Sequence, residues 1–221
     1  MPKVDAIALD MDGLLFDTER LYFRVGDEIL KPRGFRFSAE LQSQMMGRIG
    51  LAAMDAMIQF HRLDDEPESL LRESDAIYSR LLETDLRPMP GLDDWIARLC
   101  GSGLPFALTT SSRRLFVDRI LSQVDWANSL RFILSGDDVV RGKPDPEIYV
   151  KAAAIFEVPP SRMLVLEDSG NGTAAGVAAG AKVVAIPNDH TQTHSFDGAI
   201  LTADSLADPR LHDLILENQN V

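Results

Sequence analysis

The chain of 221 residues is 45% hydrophobic and 25% charged, which is enough apolar material for one core domain with a smaller companion. Its formal net charge of −12 repels polyanions, so duplex nucleic acid and anionic membranes are poor partners. The sequence has no apolar run of about 18 residues and no signal-like start, so we expect a cytoplasmic protein. We also expect a monomer or a weak homodimer.

The first predicted element is a buried strand at 4–9, and a block of helical patterns follows it from Thr18 to about Asp85. The link back to the rest of the chain, at 87–91, contains the Pro and Gly expected of a domain boundary. We therefore predict a core of 1–16 and 88–221 with an α-helical cap of 17–87 inserted into it. The alternative is that the block is one layer of a single domain. The helical patterns of the block lie at 21–30, 39–46, 51–60 and 69–82.

Beyond the block, short apolar runs alternate with helical patterns, and each run has the length of a strand buried on both faces. This alternation predicts an α/β fold, with a Rossmann-like, doubly wound parallel sheet and right-handed crossovers. In chain order the predicted elements are helix 92–100, strand 106–109, helix 114–121, strand 132–134, helix 146–156, strand 163–166, helix 173–179 and strand 183–186.

Three of the predicted strands run directly into reactive side chains: Asp10, Thr110, and the pair Glu167 and Asp168. The ligand crevice of an open parallel sheet lies outside the carboxyl ends of the strands, so these side chains belong to one edge. Asp10 and Asp12 leave an extended chain on the same side, although Asp is also common as a plain turn residue. Crowded carboxylates repel one another unless a cation lies among them, and an oxygen-only set points to Mg²⁺.

Lys143 lies in a loop, Gly142-Lys143-Pro144-Asp145-Pro146, that the Pro residues stiffen ahead of the next helix. A loop Lys is usually a solvated charge. Beside a carboxylate cluster and a phosphate, the same side chain would be the compact counter-charge that holds both. The sequence leaves these two interpretations open.

The motifs Asp10-Met11-Asp12-Gly13, Thr110, Gly142-Lys143-Pro144 and Glu167-Asp168 resemble, in order and spacing, the four motifs of the haloacid dehalogenase-like superfamily. Phe16-Asp17-Thr18-Glu19 with the helical block after it resembles the helical-cap subfamily, which includes β-phosphoglucomutase and pseudouridine 5′-phosphatase. The resemblance spans nearly the whole chain. It implies a Rossmann-like core, an inserted helical cap and phosphoryl transfer.

The resemblance also implies roles for individual residues. Asp10 would be the nucleophile that becomes an aspartyl phosphate, and Asp12 would be the general acid and base, with its backbone carbonyl on the metal. Thr110 and the amide of Ser111 would hold phosphate oxygens, and Lys143 would bridge the phosphate and Asp10. Mg²⁺ would be bound by Asp10, Asp12 and Asp168, with Glu167 supporting it directly or through water.

Within the subfamily, the choice is between hydrolysis and transfer of the phosphoryl group back to a sugar. The mutase has a cap His where this chain has Tyr22, and a cap Arg that is displaced here, in Met46-Gly47-Arg48. The motif segments are closer to the pseudouridine 5′-phosphatase pattern, so we predict a phosphatase for a small phosphorylated metabolite, sugar-like or nucleotide-like. The alternatives are a phosphosugar mutase and a non-catalytic, phosphate-binding or regulatory protein. Candidate specificity residues, each with a packing or surface role as alternative, are Glu19, Tyr22, Met46, Arg48 and Arg113.

Three weaker signals have structural interpretations. The Gly-rich segment 169–176 imitates a dinucleotide fingerprint but departs from its spacing, so we interpret it as a tight turn that lets a helix pack closely and positions Asp168. His190 and His194 lie in a polar loop without a clear third ligand, which favours structural or solvated roles over a metal pair. Cys100 is the only cysteine, which excludes an internal disulfide; we expect a packed thiol near a helix end.

Overall fold

The computed structural model describes residues 3–45, 48 and 50–216, and these form two compact units. The first unit comprises the described residues up to Asp17 together with those from Arg87 onward. The second comprises those from Thr18 to Leu86.

The first unit is built on a parallel sheet of six strands in the order β3-β2-β1-β4-β5-β6. In chain order the strands are β1 (Ala6–Leu9), β2 (Phe106–Thr109), β3 (Ile133–Leu134), β4 (Met163–Glu167), β5 (Lys182–Ala185) and β6 (Leu201–Thr202). Strand order reverses between β1 and β4, where Leu9 pairs with Leu166, and a reversal of this kind is where doubly wound sheets place their ligand crevice. The predicted α/β, Rossmann-like fold class is confirmed.

The helices are, in chain order, α1 (Glu19–Leu30), α2 (Ala39–Met45), α3 (Leu51–His61), α4 (Pro67–Asp85), α5 (Leu92–Ser102), α6 (Arg114–Leu121), α7 (Glu147–Phe156), α8 (Gly170–Ala178) and α9 (Pro209–Leu216). In the first unit, Tyr149 and Ala152 of α7 pack with Val165 and Val183 of the sheet in one apolar cluster. Burial on both faces explains why these strands are continuous apolar runs. Within the described part of the chain, none of the helices combines the length and apolar character needed to cross a bilayer.

The second unit is helical throughout its regular structure. On α1 the residues Leu21, Val25 and Ile29 recur every fourth position and are buried, as expected of an amphipathic helix. Helix α1 packs against α4, where the ring of Tyr78 lies 4.5 Å from that of Tyr22, nearly parallel to it. The helical patterns predicted for 21–30, 39–46, 51–60 and 69–82 correspond to α1, α2, α3 and α4, apart from Met46, which lies outside the described residues.

Every predicted strand is present with its ends within two residues of the prediction. Strand β6 was missed because its two residues, Leu201 and Thr202, include a polar side chain and so do not form an apolar run like that of β3. Helix α9 was also missed, although Leu211, Leu214 and Ile215 are buried at amphipathic spacing. The prediction for Cys100 was wrong: it lies on α5 but is exposed, because Leu99 and its neighbours on that helix occupy the buried face.

Candidate active site

Asp10 lies directly after β1, at the carboxyl edge of the sheet, and only 6% of the residue is exposed. Its backbone N–H donates to the carbonyl of Leu166 at 3.0 Å, so β4 fixes its position. The chain then turns at Gly13, whose φ of +76° lies in the left-handed region that favours glycine. The Phe16 N–H donates back to the Met11 carbonyl at 3.1 Å and closes the turn. Strand and turn together present the Asp10 carboxylate at the switch point.

Lys143 joins the ends of the central strands. Its Nζ donates to Asp10 Oδ1 and to Glu167 Oε1, each at 2.5 Å, and to the Thr109 carbonyl at 3.0 Å. The Lys143 side chain is 6% exposed. It is therefore a buried and fully bonded ammonium rather than a solvated loop charge.

Glu167 ends β4 and is fully buried, with hydrogen bonds to both carboxylate oxygens. Oε1 accepts from Lys143 and from the Tyr149 hydroxyl at 2.7 Å, while Oε2 accepts from Ser169 Oγ at 3.0 Å. Gly172 of α8 makes room for this carboxylate, because a Cβ there would lie 1.8 Å from Glu167 Cδ. Sequence reasoning did not single out Tyr149, since a tyrosine on an apolar helix face is usually a core residue.

The burial of these charges raises the pKa of Asp10 to about 8. Burial is the largest cause; Lys143 acts in the opposite direction, and the carboxylates of Glu167 and Asp12 raise the pKa further. Burial also works against the charge of Lys143, but Asp10 and Glu167 outweigh it and hold the pKa of the ammonium well above its usual value. An added cation would therefore favour the ionised form of Asp10.

Asp12 lies two residues beyond Asp10 and faces two hydroxyl groups. Thr110 Oγ1 donates to Asp12 Oδ2 at 3.0 Å, and Ser112 Oγ donates to the same oxygen at 2.7 Å. The Ser112 N–H in turn donates to Thr110 Oγ1 at 3.0 Å. Two donors on one oxygen fix the orientation of the Asp12 carboxyl group. Ser112 received no role from the sequence, and its position two residues past Thr110 is the signal that could have found it.

Asp168 is 3% exposed and is held by a residue from another loop. Asn188, three residues past β5, donates through Nδ2 to Asp168 Oδ2 at 2.9 Å and to the Gly13 carbonyl at 3.1 Å. A Cβ on Gly13 would lie 2.4 Å from Asp168 Oδ2 and 2.6 Å from Asn188 Nδ2. Asn188 received no role from the sequence, because it lies in a loop without periodicity.

The donor set at this edge fits Mg²⁺. Asp10, Glu167 and Asp168 are buried, and each offers a carboxylate oxygen within 4.8 Å of the others. Mg²⁺ prefers oxygen ligands, and a cation beside Asp10 would oppose the rise in its pKa that burial and the neighbouring carboxylates cause. The Asp12 side chain is turned instead toward the hydroxyl groups of Thr110 and Ser112.

The remaining predicted residues are distributed over both units. Ser111 follows Thr110 and is exposed, and Gly136 lies so close that a Cβ there would approach the Ser111 carbonyl to 2.3 Å. The Arg113 guanidinium lies 4.7 Å from the centre of the Phe116 ring. The candidates in the second unit are Glu19 and Tyr22 on α1 and the exposed Arg48, with Met46 outside the described residues.

The glycine-rich segment forms the start of α8. Ser169 Oγ accepts from the Gly172 N–H at 3.0 Å as the N-terminal cap, and Gly176 packs where a Cβ would lie 2.7 Å from Val183. His194 Nδ1 accepts from the Gly170 N–H at 3.3 Å, so it has a structural contact there. His190 is exposed.

The chain belongs to the haloacid dehalogenase-like hydrolase family, whose sequence model matches residues 4–180. It is 36% identical over 212 residues to a protein of Drosophila melanogaster named probable pseudouridine-5′-phosphatase. The alignment covers 93% of this chain and 91% of that protein. It is 30% identical over 181 residues to the phosphorylated carbohydrates phosphatase of Thermotoga maritima, over 80% of this chain and 82% of that one.

Among solved structures, CbbY from Rhodobacter sphaeroides in complex with phosphate superimposes with a TM-score of 0.78 at 28% identity. The match covers 92% of this chain and 95% of that one. The family expected from the motifs is thereby confirmed, and the named relatives are phosphatases.

Proposed function

We propose that the protein is a Mg²⁺-dependent phosphatase that hydrolyses a small phosphate monoester through an aspartyl phosphate on Asp10. The observation that carries the proposal is the buried cluster in which the Asp10 carboxylate meets Lys143, Glu167 and Asp168 at the switch point of the sheet. A carboxylate attacks a phosphoryl dianion only where positive charge offsets the repulsion, and this edge supplies an ammonium and an oxygen-only cation site.

In the first half-reaction an Asp10 carboxylate oxygen forms a bond to phosphorus, and the P–O ester bond breaks. Asp12 gives its proton to the leaving oxygen. In the second half-reaction Asp12 takes a proton from water, whose oxygen attacks phosphorus as the bond to Asp10 breaks. Inorganic phosphate leaves, and both carboxyl groups return to their starting states.

The other residues of the edge bind and orient the phosphoryl group. Lys143 lies against Asp10 and balances charge on the attacking carboxylate and on the phosphate. Thr110 exchanges its bond to Asp12 for one to a phosphate oxygen, and the amide of Ser111 donates to another. Asp10, Asp168 and the Asp12 carbonyl would hold Mg²⁺, with Glu167 in support, and the bound cation would offset negative charge on the transferring group.

The substrate is a small phosphorylated metabolite of the sugar or nucleotide class. The named relatives support this class, because one is named for pseudouridine 5′-phosphate and one for phosphorylated carbohydrates. We further propose that the helical unit acts as the cap that selects the substrate, with Glu19, Tyr22, Met46, Arg48 and Arg113 as candidate specificity residues. A cytoplasmic location and a monomeric or weakly dimeric state stay predictions.

The test is a panel of phosphate monoesters assayed with Mg²⁺ and scored by kcat/KM, with pseudouridine 5′-phosphate and β-glucose 1-phosphate included. We expect phosphate release that EDTA abolishes. Asp10→Asn lowers kcat by about 10⁴-fold or more, because an amide cannot attack phosphorus. The matched control is Asp197→Asn, an exposed loop acid in the same unit that leaves the rate unchanged.

Three results would contradict the proposal. Undiminished turnover in Asp10→Asn would show that Asp10 is not the nucleophile. Conversion of β-glucose 1-phosphate to glucose 6-phosphate would favour the mutase alternative. Failure on the whole panel would favour a non-catalytic, phosphate-binding protein.

A further inference from the structure

We propose that Asn188 is a positioning residue for the cation site: its side-chain amide holds the carboxylate of Asp168 in the orientation that binds Mg²⁺. The inference rests on the proposed function, because it concerns the metal of that reaction. It assigns a role to a loop that follows β5 and lies beyond the four motifs carrying the family resemblance.

The amide of Asn188 is oriented by the groups on both of its sides. Its Oδ1 accepts from the backbone N–H of His190 at 2.8 Å, which requires an acceptor at that position. Its Nδ2 faces two acceptors, Asp168 Oδ2 at 2.9 Å and the Gly13 carbonyl at 3.1 Å, so both N–H bonds are used. The amide therefore has one satisfied orientation, with its nitrogen toward the carboxylate.

The loop holds Asn188 rigidly. Its backbone N–H donates to Thr191 Oγ1 at 3.0 Å, and its carbonyl accepts from the N–H groups of Thr191 and Gln192 at 3.0 and 3.1 Å. Thr191 is 2% exposed. The start of this loop is tied to β4, because the Ile186 N–H donates to the Glu167 carbonyl at 2.7 Å. A side chain anchored in this way can fix its partner with little loss of its own freedom.

The chemistry of the contact suits a metal ligand. Asn188 is neutral, so it orients Asp168 without offsetting its negative charge, whereas the ammonium of Lys143 offsets charge on Asp10 and Glu167. Groups that orient metal ligands by hydrogen bonding are worth about 10- to 100-fold in metal affinity.

Gly13 leaves the space that the contact needs. A Cβ at Gly13 would lie 2.4 Å from Asp168 Oδ2 and 2.6 Å from Asn188 Nδ2, so any other residue there would separate the two side chains. Gly13 thereby does two things at once: it permits the turn after Asp12 and it opens the gap that Asn188 fills.

The experiment is calorimetric titration of Mg²⁺ alone into the unaltered protein, Asn188→Ala and Thr191→Val. Asn188→Ala removes the donor to Asp168. Thr191→Val is the matched control, because it removes the acceptor for the Asn188 N–H and loosens the same turn while keeping the amide donor. Melting temperatures without metal report the structural damage in each variant. The Mg²⁺ concentration at half-maximal phosphatase activity is measured beside the KM for substrate.

We expect Asn188→Ala to raise the Kd for Mg²⁺ by about tenfold or more, with a parallel rise in the half-saturating Mg²⁺ and little change in KM. Thr191→Val keeps the amide donor and only loosens its anchor, so it should raise the Kd for Mg²⁺ less than Asn188→Ala does. An unchanged Kd in Asn188→Ala, or an equal loss in Thr191→Val, would overturn the inference. If the unaltered protein turns over substrate but binds no Mg²⁺, the proposed requirement for Mg²⁺ is wrong, and this inference is wrong with it.

Discussion

Lys143 is the ammonium that keeps two buried carboxylates in place, since it donates to Asp10 and Glu167 at 2.5 Å each. Lys143→Met fills similar space but leaves both carboxylates buried without their counter-charge. Removing one partner of a buried pair costs about 3–5 kcal/mol, so we expect a loss of that size in the free energy of unfolding. The measurement is urea unfolding without Mg²⁺, followed by the fluorescence of Trp95 and Trp126.

Lys151→Met is the control for this prediction. Lys151 forms an ion pair with Glu147 at 2.8 Å, but its side chain is 43% exposed. Exposed pairs contribute about 0–1 kcal/mol, so this variant should unfold close to the unaltered protein. Equal destabilisation by the two substitutions would show that burial of the Lys143 charge is not what stabilises the edge.

The position of Asp10, Thr110 and Asp168 at one edge of the sheet could be predicted from the sequence, because each residue follows an apolar strand. The supporting residues could not. Tyr149 lies on a helix face whose pattern is that of core packing, and Asn188 lies in a loop without periodicity. Their roles depend on which chain segments meet at the sheet edge, and a hydrogen bond across 20 residues, such as that from Asn188 to Asp168, leaves no local pattern.

At the scale of elements, α8 can pack beside Glu167 only because Gly172 has no side chain. Gly172 lies inside the helix, where Ala is normally the better residue, but its Cβ would lie 1.8 Å from Glu167 Cδ. We expect Gly172→Ala to destabilise the protein by about 1–3 kcal/mol, because the overpacked carboxylate must leave its bonds to Lys143 and Tyr149.

Gly101→Ala is the matched control, and we expect it to stabilise the protein rather than destabilise it. Gly101 lies in α5 and has open space where a Cβ would be, so Ala there should stabilise by about 0.4–1 kcal/mol. Thermal melting of both variants checks the pair. A Gly172→Ala protein that melts at or above the unaltered protein would contradict the packing argument.

Arg33 joins separate segments of the helical unit. Its guanidinium donates twice to Asp65, at 2.9 Å each, and to both oxygens of Glu73, at 3.2 and 2.8 Å. These bonds lower the pKa of Asp65 from its usual 3.8. Because the folded-state pKa lies below the unfolded value, the pair stabilises the fold above pH 3.8, and this contribution is lost as the pH falls through the folded-state pKa.

Arg33→Met should therefore cost about 1 kcal/mol at pH 7, the upper end for partly exposed pairs, and less at pH 3. Circular dichroism follows urea unfolding of the helices, while tryptophan fluorescence reports on the first unit, which holds Trp95 and Trp126. A stability difference that is the same at both pH values would contradict the assignment of the pair.

At the scale of the whole molecule, the alternation of strands and helices and the helical insertion could be predicted because the spacing of apolar residues indicates both. It missed β6 and α9, which close the first unit after the motifs end. It also placed Cys100 in the core, whereas Leu99 takes the buried face of α5. The spacing of apolar residues identifies a helix or strand. Which of its faces is buried depends on the elements that pack against it, and the local sequence does not show which elements these are.

The two ends of the helical insertion meet in the first unit. The Asp17 N–H donates to the Arg87 carbonyl at 2.9 Å, and the Met89 N–H donates to the Leu15 carbonyl at 2.9 Å. All side chains that we propose for the chemistry lie in this unit. Replacing 18–86 with two glycines should therefore leave a folded protein, because the linker has only to join residues that are already hydrogen-bonded neighbours.

In this deletion variant we expect the fluorescence of Trp95 and Trp126 to show cooperative unfolding, and Mg²⁺-dependent hydrolysis of p-nitrophenyl phosphate to persist. The kcat/KM for the best substrate of the panel should fall by about 100-fold if the helical unit orients the substrate as proposed, while the phosphoryl chemistry remains. If the variant still prefers that substrate over the others of the panel, the helical unit does not select the substrate. A variant without a cooperative transition would show that the first unit needs the insertion to fold.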